Sequence, residues 1–225
     1  MQYLKSYLST NSKLKRDGIY SFGIPAYKSK TGLVTCPAAS KCIKGCYARN
    51  GFYNMPSVSK AQEARLALAL DSELFIAVMD TEIRKRKVRV CRIHDSGDFF
   101  SAEYRDAWFA IMGYNPNVRF YAYTKNIPLF HGITLPSNFT LIYSEGGKYD
   151  SAIDRHSQRH SRVFESIEAL KAAGCVDTTE HDKNAYESEN HRIGLVYHGS
   201  RGKQWTTQVK ETYGQKETDI PGYSD

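Results

Sequence analysis

Three of the five cysteines of this 225-residue chain fall within eleven positions, in the stretch TCPAASKCIKGCYA. Cys36, Cys42 and Cys46 have the spacing C-x5-C-x3-C, and Pro37, Gly45 and several small residues keep the chain between them loose. An odd cysteine total fits a secreted disulfide framework poorly, whereas a tight cluster in a reducing compartment reads as metal-binding or catalytic. A catalytic thiol needs one cysteine and a base such as His94, so it leaves two cysteines unexplained. Structural zinc takes four ligands, commonly from C-x2-C knuckles, with Cys91 or His94 available here as a fourth. An iron–sulfur cluster accepts wider and less regular spacing, because each thiolate binds a different iron. Three thiolates on a [4Fe-4S] cube leave one iron open to another ligand or to substrate. The spacing ranks a cluster above zinc. Gly45, Ala38 and Ala39 leave room for backbone amides to approach cluster sulfides, and Lys41, Lys44 and Arg49 add the positive charge that favours thiolates. Cys91, inside a strand, and Cys175, in a short apolar run, read as small buried hydrophobes.

The second chemical signal is where the polar residues fall. His94, Asp95, Ser96, Gly97 and Asp98 follow the apolar run VRVCRI. Lys125 follows VRFYAY, Ser144 and Glu145 close FTLIYSE, and His198 follows IGLVY. In parallel α/β folds the ligand sits at the carboxyl ends of the strands, where their loops converge. His94, Asp95, Asp98, Lys125, Glu145 and His198 are therefore the candidates for proton transfer and substrate binding. Ser96, Gly97 and Ser144 are candidates for holding a cofactor. Ordinary strand-to-helix loops also favour Asp, Ser and Gly, but four such ends in one chain point to a shared polar site.

The elements that must position these groups alternate along the chain. Strands rich in Val, Ile, Tyr and Phe are expected at 19–24, 88–93, 118–123, 139–144, 161–164, 175–176 and 193–198. Between them, Asp71 caps a helix with Leu74, Phe75, Val78, Met79 and Ile83 on one face. Ser101 caps another with Tyr104, Ala107, Trp108 and Ile111, and FESIEALKAAG ends on Gly174 as its left-handed terminator. Alternation of this kind argues for βαβ units on a mainly parallel sheet. The expected fold is α/β, an open or incomplete (β/α) barrel of TIM-barrel type, with a doubly wound open sheet as the alternative. Residues 1–199 form one domain, and the polar segment 200–225 is an arm, a lid or disordered.

Composition bounds the function. No apolar run reaches the length of a membrane span, and the first residues, MQYLKSYLSTNSKLKRDG, lack the apolar stretch of a signal peptide, so no membrane and a cytoplasmic location are expected. The net charge of +7 invites nucleic acid as a partner, with RKRKVR (84–89) and RHSQRHSR (155–162) as contacts. The bland reading of these runs is helix-end complementation and a solvated basic face.

Taken together, SFGIPA, TCPAASKCIKGCYARNG, RIHDSGDFFSAEY, NVRFYAYTKN, LPSNFTLIYSEGG and IGLVYHG resemble the gene product 88 family of phage proteins, in order from Ser21 to Gly199. That resemblance implies a phage-encoded protein of the host bacterial cytoplasm with an iron–sulfur site at Cys36, Cys42 and Cys46. The cysteine segment, which follows the first strand and ends in CYA, is also similar to that of radical S-adenosylmethionine (SAM) enzymes, which are (β/α) barrels carrying [4Fe-4S]. Their usual spacing is C-x3-C-x2-C; five and three here alter the geometry on which SAM binding depends. Three function classes follow. The first is a cluster enzyme acting as Lewis acid or radical initiator, SAM being the cofactor in the second case. The next is a zinc- or cluster-stabilised nucleic-acid-binding protein without catalysis. The last is a hydrolase or nuclease holding Mg²⁺ or Mn²⁺ on His94, Asp95, Asp98 and Glu145, which leaves the cysteines unused.

Overall fold

The computed structural model describes residues 4–197. Its centre is a seven-stranded, all-parallel sheet curled into a half-barrel, with strand order β1-β2-β3-β4-β5-β7-β6. The strands are β1 (Ile19–Phe22), β2 (Val90–Ile93), β3 (Arg119–Thr124), β4 (Phe139–Ser144), β5 (His160–Phe164), β6 (Val176–Asp177) and β7 (Arg192–Val196). All seven expected strands form, each within two residues of its expected limits. The alternative of a doubly wound sheet is not taken: the first five strands add in chain order, and only β7 steps between β5 and β6.

Side-chain alternation sorts each strand between two faces. The outer face gives Phe22, Cys91, Ile93, Phe120, Ala122, Leu141 and Tyr143 to the main core. Helices α2 (Pro56–Ala69), α3 (Ser72–Lys85) and α4 (Ala102–Tyr114) cover it. Phe75, Tyr104 and Trp108 pack edge-on and tilted against one another and Phe22 there, with centroids 5.2–6.4 Å apart. Both expected N-caps are made: Asp71 accepts from Leu74 N, and Ser101 from Tyr104 N. The inner face gives Ile19, Tyr121, Ile142 and Ile193 to a second cluster. Leu14 of α1 (Ser12–Arg16) and Ala185 and Tyr186 of α6 (Lys183–Glu187) close it from below. The short α5 (Ile167–Ala172) lies on β5 and β7, where Gly194 leaves room for the fully buried Leu170; a Cβ at Gly194 would stand 2.6 Å from Leu170 Cγ. Gly174 ends α5 at φ 63°, as expected.

Several residues of the two basic runs have partners within the fold. Arg84 pairs with Asp80 and Arg86 with Glu82 one turn back on α3. Arg155 is buried against Glu145, Arg159 donates to the carbonyls of Ala185, Ser188 and Asn190, and Arg162 is buried. His160 is buried within β5, where its Nδ1 lies 2.9 Å from Gln158 O. No helix among the described residues is long and apolar enough to cross a membrane.

Candidate functional site

The cysteine loop leaves the carboxyl end of β1 and is tied down on three sides. Ile24 N bonds to Ser96 O, which continues β1 alongside the β2 loop. A short antiparallel bridge, Lys28 to Val34, then returns the chain so that Asp98 N bonds to Thr35 O. Beyond Cys36 the loop reaches the β4 end, where Cys42 N bonds to Gly146 O and Ala39 bridges Gly147. Three 3-10 turns, Lys41–Ile43, Tyr47–Arg49 and Gly51–Asn54, carry the rest. Their presence follows from the Pro, Gly and small residues that deny the segment a regular helix.

All three thiols are free, Cys42 buried and Cys36 and Cys46 partly so. Burial pushes the Cys36 thiol well above its ordinary pKa; the Asp98 carboxylate and the other two thiols, Cys46 and Cys42, add to it, against a bond from Tyr27 N to Sγ at 3.2 Å. The Cys46 thiol is raised by burial too, opposed by a backbone amide at Ala48 and by the charges of Lys125 and Arg49. Three sulfurs thus lie within electrostatic reach of each other, with amides and cations beside them. Among the described residues, no three His, Cys, Asp or Glu side chains are disposed to hold a metal ion. A single zinc would draw its sulfurs to within ~4 Å of each other, given Zn–S distances of about 2.3 Å. A cluster spreads its thiolates because each meets a separate iron.

The strand-end residues divide into two groups. Asp98, Lys125, Ser144 and Glu145 gather beside the loop. Asp98 is a buried latch between the β2 and β3 ends, accepting from Thr124 Oγ1 (2.6 Å), Lys125 N (2.9 Å) and Phe99 N (2.7 Å). Burial raises its pKa and these bonds oppose the rise. Lys125 Nζ spans to β4, donating to Ser144 Oγ (2.6 Å) and to the carbonyls of Ser144 and Glu145. The Glu145 carboxylate turns to Arg155 Nε at 3.0 Å rather than to Lys125, and burial lifts its pKa despite that partner. Replacing Asp98 by Asn removes an acceptor from three converging donors. It is expected to cost about 2–4 kcal/mol and to speed amide exchange at Lys125 and Asn126. Urea unfolding and hydrogen exchange check this; unchanged protection would remove Asp98 as the latch.

His94, Ser96 and Gly97 do structural work instead. His94 adopts φ 67°, which turns its ring under α4, 3.0 Å from Tyr104 OH and edge-on to Phe99. Burial, with Arg92 nearby, pushes its pKa down to about 3, so it is neutral at physiological pH. Ser96 Oγ donates to Ile24 O and accepts from Gln62 Nε2, and Gly97, at φ 83°, packs against Ile24. Asp95 stands apart: its carboxylate lies over Gly23, where a Cβ would come within 1.9 Å of Oδ1, and it accepts from Tyr53 OH at 3.3 Å. Tyr47 OH donates to the Asp95 carbonyl. Half of Tyr47 meets solvent, yet its hydroxyl lies deep enough that burial, against the opposing charge of Arg92, pushes its pKa up to about 12. Sequence reasoning missed Tyr47 and Tyr53, although Tyr47 directly follows Cys46. His198 and the segment 200–225 lie outside the described residues.

The family profile described as Gene product 88 matches residues 4–215, nearly the whole chain. The chain belongs to the gene product 88 family. The Gene 88 protein of Mycobacterium phage L5 is 32% identical over 116 residues, covering 47% of each chain. The match thus spans about half the length of that curated relative. No solved structure matches the chain.

Proposed function

We propose that this gene product 88 protein is a phage-encoded iron–sulfur enzyme of the host cytoplasm. Cys36, Cys42 and Cys46 would hold a [4Fe-4S] cluster, with one iron left open at the carboxyl edge of the sheet. The observation that carries the reading is that three free thiols within electrostatic reach of one another, with amide donors and Lys125 beside them, sit on one loop at the edge where parallel sheets bind ligands. When bound, the cluster would supply Lewis-acid or one-electron chemistry. Asp98, bonded through its amide to Thr35 O, positions the loop at Cys36, Lys125 offsets negative charge at Cys46, and Tyr47 and Tyr53 pack on each other beside Asp95. SAM is the cofactor of the one-electron branch.

Anaerobic purification with iron, sulfide and zinc analysis, and EPR before and after dithionite, tests this. About four iron and four sulfide per chain are expected. Zinc without labile sulfide would overturn the cluster. Holoprotein that neither binds nor reductively cleaves SAM would leave the Lewis-acid branch alone.

A second reading, polyanion binding, has one specific observation behind it. From Gly18 to Gln62 the chain has no Asp or Glu, but carries Lys28, Lys30, Lys41, Lys44, Arg49 and Lys60. Tyr27, Val34, Tyr47, Phe52 and Met55, among the most exposed large apolar side chains, fall in the same stretch. Aromatic platforms set among cations suit single-stranded nucleic acid. Binding that survives moderate salt and prefers single strands over duplex supports it; attraction that vanishes with salt is nonspecific.

A further inference from the structure

The inner face of the half-barrel, below the cysteine loop, carries a charge that the fold does not use up. Arg92 lies mid-strand on β2, in register with Ser21 and Tyr121, and so points inward. Its Nη1 meets Asp182 Oδ2 at 2.7 Å. The other carboxylate oxygen takes Lys13 Nζ at 2.5 Å, and Tyr121 OH adds a bond to Oδ2 at 2.7 Å. One buried carboxylate therefore faces two cations, and a positive charge is left over. Asp95, the next carboxylate, acts on Arg65 and the Tyr47–Tyr53 pair.

The guanidinium is also under-used as a donor. It has five N–H groups, yet among the described residues only Nη1 has a hydrogen-bond partner, and Nε is buried without one. Its flat face lies 4.9 Å from the centroid of Tyr123, which holds it in place. The side chain keeps 15% of its surface exposed, against 2% for Asp182. An interior ion pair kept only for stability would have no reason to leave one edge of the guanidinium, Nε and Nη2, without a hydrogen-bond partner. Tyr47, which follows Cys46 directly, comes within electrostatic reach of the same group.

We propose that the unpartnered Nε–Nη2 edge of Arg92 is an oxyanion subsite, taking the carboxylate or phosphate group of a small-molecule substrate inside the half-barrel. Fork geometry and leftover charge suit either group. Tyr123 forms one wall of the subsite, and Tyr47 links it to the thiol loop above. As a substrate subsite it rests on the enzyme reading; as an anion site it stands without the cluster, so iron content and anion binding can fail separately.

The test is calorimetric titration of the purified full-length protein with inorganic phosphate and, separately, succinate, at ionic strength held constant with chloride. Saturable binding of one of them is expected, and which one identifies the group. Arg92→Lys keeps a cation for Asp182 but loses the fork, and is expected to weaken binding at least about tenfold. The surface variant Lys171→Ala should bind as wild type does. Should Arg92→Lys fail to fold, the Arg92 Nε–H resonance of the wild type, followed by NMR through the same titrations, must shift saturably. No saturable binding of either anion, equal binding by Arg92→Lys, or an unmoved resonance overturns the proposal.

Discussion

Replacing Asp182 by Ala is expected to destabilise the protein by about 3–5 kcal/mol, the cost of stranding buried charges without their partner. Asp182 is 1% exposed and is the shared counter-ion of Lys13 and Arg92 and the acceptor for Tyr121. It therefore ties α1, β2 and β3 to the segment entering α6, across a sequence separation of up to 169 residues (182 − 13). For a domain of this size the melting temperature should fall by about 6–20 °C. The effect has a pH signature. Burial alone would raise the Asp182 pKa, but Arg92 and Lys13, with the hydrogen bonds, outweigh it and the net shift is downward. A folded-state pKa below the unfolded value stabilises at pH above the unfolded pKa, and that contribution is lost as pH falls through the folded one. The gap between wild type and Asp182→Ala should thus be full at pH 7 and close below about pH 4. Urea unfolding at a series of pH values measures it. Equal stability at pH 7, or a gap indifferent to acid, would mean the network is ornamental.

This network also marks where sequence reading stops. The strands were legible because each is a short β-branched or aromatic run. Arg92, inside VRVCRI, is a cation among apolar neighbours and so had to face a partner. Which partner could not be read, because Asp182 lies ninety positions away (182 − 92) in a segment without strong periodicity. Helix α2 escaped for a related reason. Its buried side includes Gln62, bonded to Ser96, and Arg65, whose Nε donates to Tyr7 O, so apolar residues do not mark its face. His94, a strand-end candidate like the others, is carried into the aromatic core by one left-handed backbone angle, which residue type alone does not announce. Tyr47 and Tyr53 were hidden because tyrosine is common in this chain, 16 residues in all, and only the folded loop shows which ones meet Asp95.

Single replacements of Cys36, Cys42 or Cys46 by Ala are expected to reduce bound iron from about four per chain to less than about one, because a cube held by two thiolates is readily lost. The same variants should remain folded. The loop's anchors are largely backbone bonds, Cys42 N to Gly146 O and Thr35 O to Asp98 N, which side-chain truncation leaves in place. Neither Cys36 nor Cys46 is buried in a core, and trimming the Cys42 thiol removes little apolar surface. Cys91→Ala provides the contrast. Cys91 is fully buried on the outer face of β2, and burial pushes its thiol up to about 12, the condition of an inert packing residue. Its loss should lower stability by about 1 kcal/mol while leaving iron content unchanged. Iron and sulfide analysis with thermal unfolding on all four variants separates the two roles. Full iron in a Cys42→Ala protein, or iron lost equally from Cys91→Ala, would move the cluster away from the loop and with it the open iron assigned to the sheet edge.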